Sequence, residues 1–338
     1  MGMAKNRKKL SVINKEFQEA ISKNQLSAYV KNTKQFKRIN EVYLNATKAI
    51  SGGYKYRIKR QKIYLENLPS SFHNLKIAHI SDIHAGNLMN KNAVEIGVDL
   101  LMNENPDMVF FTGDLVTYRT SEAEDLKNIL SKIKAPYGVY AVLGNHDYGD
   151  YVIWENEKAK ENNFNAIKIF YEEIGWTLLV NECKIIEKDD EKLAIVGVEN
   201  WSKKRRFPKY GNLNKAVKGS KNISIKLLLS HDPSHWEALV LPHHKDIAIT
   251  FSGHTHGFQF GLGIKDWKWS PAQYFLKHWR GLYNCENQYL YVNTGFGFIG
   301  MPGRIGMPPE ITIVNLKKRK KQHHFAFLAD NVIASSNP

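Results

Sequence analysis

Cysteine is nearly missing from this chain: Cys183 and Cys285 are the only two in 338 residues, far apart and outside any C-x-x-C spacing. Neither a disulfide framework nor a thiolate metal site is supported, and so few thiols fit a reducing compartment. Long hydrophobic runs are missing as well, since no stretch approaches the roughly 18 uninterrupted apolar residues of a spanning helix. The opening segment carries Lys5, Arg7, Lys8 and Lys9 with no apolar core behind them, so no secretory signal is expected. The 23 Gly and 11 Pro follow no period, which sets aside collagen-like and low-complexity readings. What remains is ordinary globular material, 43% hydrophobic and 24% charged. Its length suits one large α/β domain with decorations or two small domains.

Acidic residues are scarce at one end only. Residues 1–62 hold 16 Lys and Arg against 3 Asp and Glu, whereas the rest holds 32 against 30, so the net charge of +15 sits almost wholly in the N-terminal arm. A near-neutral body with no basic, aromatic-interleaved groove makes nucleic acid an unexpected partner. In residues 1–53, Val12, Phe17 and Ile21, and later Phe36, Ile39, Val42 and Tyr43, recur near helical spacing until Ser51-Gly52-Gly53. The arm therefore reads as a basic helical extension. It is either solvated and weakly packed on the body, or laid against anionic lipid through its basic face. Residues 54–322 form the expected main domain and 323–338 a tail.

From Tyr54 the pattern changes. Tyr54 to Tyr64 alternates as a half-exposed strand, and short apolar runs follow at Leu75–Ile80, Met108–Phe111, Val139–Leu143, Leu193–Val198, Lys226–Leu229, Ile247–Phe251, Tyr289–Val292 and Ile311–Leu316. Amphipathic helical stretches fit at Lys91–Asn103 and Ala123–Ile133. Continuous apolar strands alternating with such helices predict a sheet covered on both faces. The later runs lie closer together or follow long loops, which predicts that part of the sheet is antiparallel or mixed.

Five of these strands deliver polar residues at their carboxyl ends, where open α/β sheets place ligands. The exits read Ser81-Asp82-Ile83-His84, Thr112-Gly113-Asp114, Gly144-Asn145-His146-Asp147, Ser230-His231-Asp232-Pro233 and Ser252-Gly253-His254-Thr255-His256. Oxygen and imidazole donors without thiolate favour Mn, Fe, Zn or Co. Asp82, His84, Asp114, Asn145, His231, His254 and His256 make seven candidate ligands, too many for one ion and suited to two sharing a bridging carboxylate. The Asp-x-His spacing lets both side chains point the same way if the strand continues. Gly113, Gly144 and Gly253 supply the small residue a close approach needs. Asp147 and Asp232 read as partners that orient ring or backbone donors. The histidines outside these motifs read as surface or satisfied core.

This set resembles the calcineurin-like metallophosphoesterase superfamily, with no motif missing over about residues 73–316. The flanking text HISDIHAG, FFTGDLV, LGNHDYGDY, LLLSHDP, SGHTHGFQFG and GMPGRIGMPPEITIVNL resembles the bacterial membrane-associated branch that includes relatives of UDP-2,3-diacylglucosamine hydrolases. The resemblance implies a four-layer α/β/β/α sandwich with mixed sheets. It implies that Asp82, His84 and His256 hold one cation, Asn145, His231 and His254 a second, and that Asp114 bridges them. Attack by a metal-bridging hydroxide on a phosphodiester or pyrophosphate is implied, with His146 assisting the leaving group and Asp147 orienting its ring. The substrate implied is an amphiphilic one of the UDP-2,3-diacylglucosamine type, as in lipid A biosynthesis, met at the inner membrane face by a cytoplasmic, peripheral protein with manganese among the candidate metals. A phosphomonoesterase or protein phosphatase with the same metals, and a metal-poor scaffold, are the competing readings.

Gly257–Tyr283 holds eight aromatics, Phe258, Phe260, Trp267, Trp269, Tyr274, Phe275, Trp279 and Tyr283, with Lys265, Lys268, Lys277 and Arg280. Half of these rings are expected in the core and half in a lid over the metals. Arg280, Arg304, Trp267 and Trp269 are the expected substrate contacts. Lys203, Lys204, Arg205 and Arg206, between Trp201 and Tyr210, read as a solvated charge run on a rim loop.

Overall fold

The computed structural model describes residues 55–87, 90–264, 267–300 and 303–319. The expected arm (1–53) and tail (323–338) lie outside them. Among the described residues fourteen strands occur in chain order: β1 (Arg57–Leu65), β2 (Lys76–Ile80), β3 (Met108–Phe111), β4 (Val139–Ala141), β5 (Thr177–Leu178), β6 (Glu182–Lys188), β7 (Glu191–Gly197), β8 (Lys226–Leu229), β9 (Ile247–Ser252), β10 (Leu262–Ile264), β11 (Trp267–Trp269), β12 (Gly281–Cys285), β13 (Gln288–Val292) and β14 (Glu310–Lys318). They form two six-stranded sheets, ordered β1-β14-β2-β3-β4-β5 and β12-β13-β9-β8-β7-β6, and the separate hairpin β10-β11.

Each sheet is mixed. β2, β3 and β4 run parallel, with β14 antiparallel to β2. In the second sheet β7, β8, β9 and β13 run parallel, with antiparallel partners β6 and β12 at the edges. Every residue of β3, β8 and β9 is buried, as a strand covered on both faces requires. The edge strand β6 buries only Ile186 and carries Glu182, Lys184, Glu187 and Lys188, so most of it stays wet.

Helix α1 (Lys91–Asn103) starts where the Asn90 side chain accepts a hydrogen bond from the Asn92 N–H, and it buries Val94, Val98 and Leu101 along one stripe. Helix α2 (Glu157–Glu173) starts on Asn156, which accepts from the Ala159 N–H, and buries Ile167, Phe170 and Tyr171. α2 is absent from the sequence reading because its first half, Glu157 to Asn163, is almost wholly polar. The expected helix at Ala123–Ile133 reduces to 3-10 turns and one short α segment, Lys127–Leu130, which has no side-chain cap at its start.

Three apolar layers hold this together. α1 and α2 pack on the outer face of the first sheet through Val98, Leu101, Phe111, Phe170 and Trp176. Between the sheets lie Phe72, Ile77, Phe110, Leu227, Leu229, Ile249 and Phe251. The outer face of the second sheet is covered by Leu213, Ala216, Trp236 and Val240. The architecture is the expected α/β/β/α arrangement. Among the described residues no helix is long and apolar enough to cross a membrane.

Phe251 joins the two sheets, its ring edge-on to Phe110 at 5.0 Å and to His79 at 5.2 Å. Phe251→Ala should therefore cost about 3–5 kcal/mol of stability, read as a lower midpoint in chemical denaturation. A loss below about 1 kcal/mol would show that this layer is not the packed core described.

Candidate metal centre

The parallel strands β2, β3 and β4 of one sheet and β8 and β9 of the other all end at the same rim. Their exits are laced together by backbone hydrogen bonds: Asp82 N–H to Gly113 O at 2.9 Å, His84 N–H to Asp114 O at 3.1 Å, and Gly253 N–H to His231 O at 2.9 Å. A side-chain bond crosses between the sheets, where the Asp82 carboxylate accepts the His254 N–H at 3.1 Å.

Donor atoms of Asp82, His84, Asp114 and His256 lie within 4.8 Å of one another, and so do those of Asp114, His231 and His254. Asp114 belongs to both groups. His84 Nε2 faces His256 Nε2 at 3.1 Å and Asp114 Oδ2 at 3.4 Å. His231 Nε2 faces Asp114 Oδ2 at 3.1 Å and His254 Nδ1 at 3.2 Å. The seventh candidate, Asn145, lines the same cavity as Asp114 and His254. Its Nδ2 donates to the Tyr151 hydroxyl at 3.0 Å, while its Oδ1 is buried with no protein partner.

This donor set fits divalent cations. The His231 Nδ1 lies 2.6 Å from the Thr112 carbonyl, so Nδ1 carries the proton and Nε2 presents its lone pair to the Asp114 carboxylate when the ring is neutral. Electron-rich atoms brought this close repel unless a proton or a cation sits between them. Burial alone would lower the His231 pKa, yet the Asp114 and Asp82 carboxylates outweigh it and push it up to about 10. Burial likewise would raise Asp114, but the His231, His146 and His84 imidazoles hold it well below the usual carboxylate range. Burial pushes Asp82 up to about 6 and His84 down to about 3.

The backbone pays for this convergence. Asp82, His84, Asp114, His254 and His256 all have positive φ, between 50° and 68°. Each such residue costs of order 1–3 kcal/mol and persists only where its surroundings over-determine it. Asp82 and His84 thus meet through two left-handed residues flanking the buried Ile83, rather than by the extended alternation their spacing suggests. Gly144 and Gly253 fill two close approaches to candidate ligands. A Cβ on Gly144 would lie 2.2 Å from Asp114 Oδ1, and one on Gly253 would lie 1.9 Å from Ser81 Oγ and 2.2 Å from Asp82 Oδ2.

Asp147 does not reach the His146 ring. Its carboxylate accepts the N–H groups of Asp114 and Gly144 at 2.8 Å and of Leu115 at 2.9 Å, which fastens the β3 exit to the β4 exit. The His146 ring is oriented instead by its Nδ1, which donates to the Thr117 carbonyl at 2.8 Å, and by the Tyr151 ring at 4.4 Å. Asp232 sits behind His254, with Oδ2 3.5 Å from Nε2. Thr117 and Tyr151 were not singled out in the sequence: one acts through its backbone carbonyl, the other lies in an irregular loop.

A cavity of about 530 Å³ opens over Asp114, Asn145, His146, His254 and His256, walled by Phe207, Phe258, Phe260, Leu276 and Ile299. The expected substrate contacts are placed elsewhere. Arg304 is buried behind His256, donating to the carbonyls of Gly297 at 2.8 Å and His256 at 3.2 Å. Arg280 lies over the Trp279 ring. Trp269 meets Phe260 edge-on at 6.4 Å and donates to the Tyr274 hydroxyl. The Trp267 side chain is outside the described residues. Of the lid aromatics, Phe258 and Phe260 line the cavity, Phe258 while half exposed, and Tyr274 and Phe275 are more exposed still.

Gly253→Ala should weaken divalent-cation binding at least about tenfold with little change in far-UV circular dichroism, since its methyl group displaces the Asp82 carboxylate. Wild-type affinity in that variant would show that Asp82 does not ligate.

A family model described as calcineurin-like phosphoesterase matches residues 75–258, more than half of the chain. The chain is 29% identical over 264 residues to an uncharacterized metallophosphoesterase of Helicobacter pylori, covering 77% of this chain and 64% of that protein. It is 28% identical over 267 residues to a Danio rerio protein named transmembrane protein with metallophosphoesterase domain, covering 76% and 56%. It is 29% identical over 269 residues to an uncharacterized metallophosphoesterase of Aquifex aeolicus, covering 78% and 93%. The chain spans less than two thirds of the first two of these relatives. The match over residues 75–258, with the buried Asp and His cluster at the strand ends, shows that the chain belongs to the calcineurin-like phosphoesterase family.

Proposed function

We propose that the chain is a dinuclear metallophosphoesterase that hydrolyses a phosphodiester or pyrophosphate bond in an amphiphilic substrate. The observation that carries this reading is the Asp114 carboxylate, shared by two donor groups. Asp82, His84 and His256 would hold one cation, and His231, His254 and Asn145 the other. Bound divalent cations supply positive charge that stabilises the phosphoryl group and lets water act as a nucleophile near neutral pH.

The chain's own residues do the rest. With Nδ1 donating to the Thr117 carbonyl, the His146 ring leaves Nε2 as its one remaining proton-carrying atom, and the residue lines the cavity beside Asp114. A protonated Nε2 can donate to the leaving oxygen as the ester bond breaks. The Tyr151 hydroxyl, 3.0 Å from Asn145 Nδ2, holds the amide in place at the cavity floor. Asp147 holds the two ligand loops at fixed separation.

The cavity is far larger than a phosphoryl group needs and its walls are mostly apolar side chains, which supports a substrate with a hydrophobic arm. A glycolipid of the UDP-2,3-diacylglucosamine type fits that description as the finer reading. Contact of residues 1–53 with an anionic leaflet would bring the enzyme to such a substrate. A phosphomonoesterase with the same metals is the second reading, favoured by the openness of the metal floor to the cavity.

His146→Ala should lower kcat at least about 100-fold while leaving metal content nearly intact. Full activity in that variant would remove His146 from the reaction. Manganese-loaded protein should cleave bis-p-nitrophenyl phosphate and a nucleotide-diphosphate glycolipid in preference to p-nitrophenyl phosphate. Activity on the monoester alone would overturn the diester and pyrophosphate reading.

A further inference from the structure

The cavity over the metal centre takes its lining from two sources of different character. Segment 258–299 supplies the apolar wall. The loop after β7 supplies two cations, Lys204 and Arg206, together with Phe207. In the sequence these cations belong to a run that reads as a solvated charge cluster, and the structure gives them a specific place.

The loop is fastened on both sides of that run. The buried Asn200 accepts the N–H groups of Tyr210 and Gly211 at 2.9 and 3.0 Å, and its Nδ2 donates to the Pro208 carbonyl at 2.8 Å. The Lys203 N–H donates to Ser234 Oγ at 2.9 Å and the Lys204 N–H to Ser202 Oγ at 3.1 Å. Buried Ser202 also hydrogen-bonds Asp232, the carboxylate behind His254. Beyond the run, the Phe207 ring stands edge-on to the His254 imidazole at 4.7 Å. Lys204 and Arg206 are therefore presented from a braced loop, which reduces the ordering cost of binding.

Their charges are also left over. Several lysines elsewhere on the surface have carboxylate partners, among them Lys91 with Asp125, Lys132 with Glu95 and Lys160 with Asp150. Lys203, Lys204, Arg205 and Arg206 form no ion pair with any described carboxylate, though all four are exposed. Lys203 and Lys204 both line the adjoining recess of about 140 Å³ that also holds Asp232 and Glu237, and Lys204 lines the metal-side cavity as well; Arg206 lines that cavity alone, over the Phe207 ring at 4.7 Å. A guanidinium and an ammonium at one cavity mouth, unneutralised and pre-positioned, match the oxygens of a phosphate or carboxylate.

We propose that Lys204 and Arg206 form a second anion-binding subsite at the mouth of the metal centre, which selects phosphoesters that carry a further anionic group beyond the bond that is cleaved. This inference rests on the diesterase reading above. The scissile phosphoryl group lies at the metals, the apolar arm against Phe258, Phe260 and Leu276, and the additional phosphate or carboxylate at Lys204 and Arg206.

Two chromogenic diesters differing in one distal charge test it: thymidine 5′-(p-nitrophenyl phosphate) and the same compound bearing a 3′-phosphate. Manganese-loaded enzyme should show kcat/KM at least about tenfold higher for the 3′-phosphorylated compound at low ionic strength, and added salt should shrink the ratio. In the double variant Lys204→Ala/Arg206→Ala the ratio should fall close to one at unchanged metal content, and in Lys204→Arg it should persist. A wild-type ratio near one, or a ratio that survives the double substitution, overturns the subsite while leaving the diesterase reading in place. Hydrolysis of neither diester by the metal-loaded wild type overturns both.

Discussion

One carboxylate facing two groups of histidines is the constraint on which this site depends. Asp114 Oδ2 lies 3.1 Å from His231 Nε2 and 3.4 Å from His84 Nε2, and a buried site this rich in lone pairs is tolerable only if positive charge sits among them. The surrounding fold is organised to keep that carboxylate in place. Asp147 accepts N–H groups from both the Asp114 and Gly144 loops, so the exits of β3 and β4 cannot drift apart. The His146 N–H binds Asp114 Oδ1 at 2.9 Å, so the residue proposed as proton donor is referenced to the same group.

The second consequence concerns the two sheets. Each contributes strand ends to the centre, and neither holds a complete donor set: Asp82, His84, Asp114 and Asn145 follow strands of the first, His231, His254 and His256 strands of the second. The inter-sheet layer built around Phe110 and Phe251 thus sets the separation of the donors as well as the stability of the fold. Arg304, buried behind His256 with its protons given to backbone carbonyls, serves the same rim from the β14 side.

Much of this was legible in the sequence, for a physical reason. β3 and β8 are buried on both faces, so their boundaries appear as uninterrupted apolar runs, and the polar ligands stand out immediately after them. α2 was not legible because its buried stripe is confined to its last turns, and β5 spans two residues only. The seven candidate ligand positions could be named from motif order, and six of them fall into the two donor groups that share Asp114. The left-handed backbone that turns five of them inward could not, since positive φ at Asp or His leaves no mark on composition. Substrate contacts were least legible. Arg304 and Trp269 carry suggestive chemistry but are spent on internal partners, whereas Lys204 and Arg206 belong to a charge run of a kind that is usually solvated. Which cations face a cavity depends on how a loop is pinned, and the pins here are backbone N–H groups, Ser202 and Asn200.

A shared carboxylate is the basis of the proposed hydrolysis, and a braced cationic loop beside an apolar wall is the basis of its proposed selectivity. The claim beneath all of it is that two cations flank Asp114. Anomalous diffraction from crystals of the manganese-loaded protein measures this directly. The account predicts two peaks, one between Asp114, Asp82, His84 and His256 and the other between Asp114, Asn145, His231 and His254. A single peak on one side of Asp114, or none in well-ordered, metal-supplemented crystals, would contradict it.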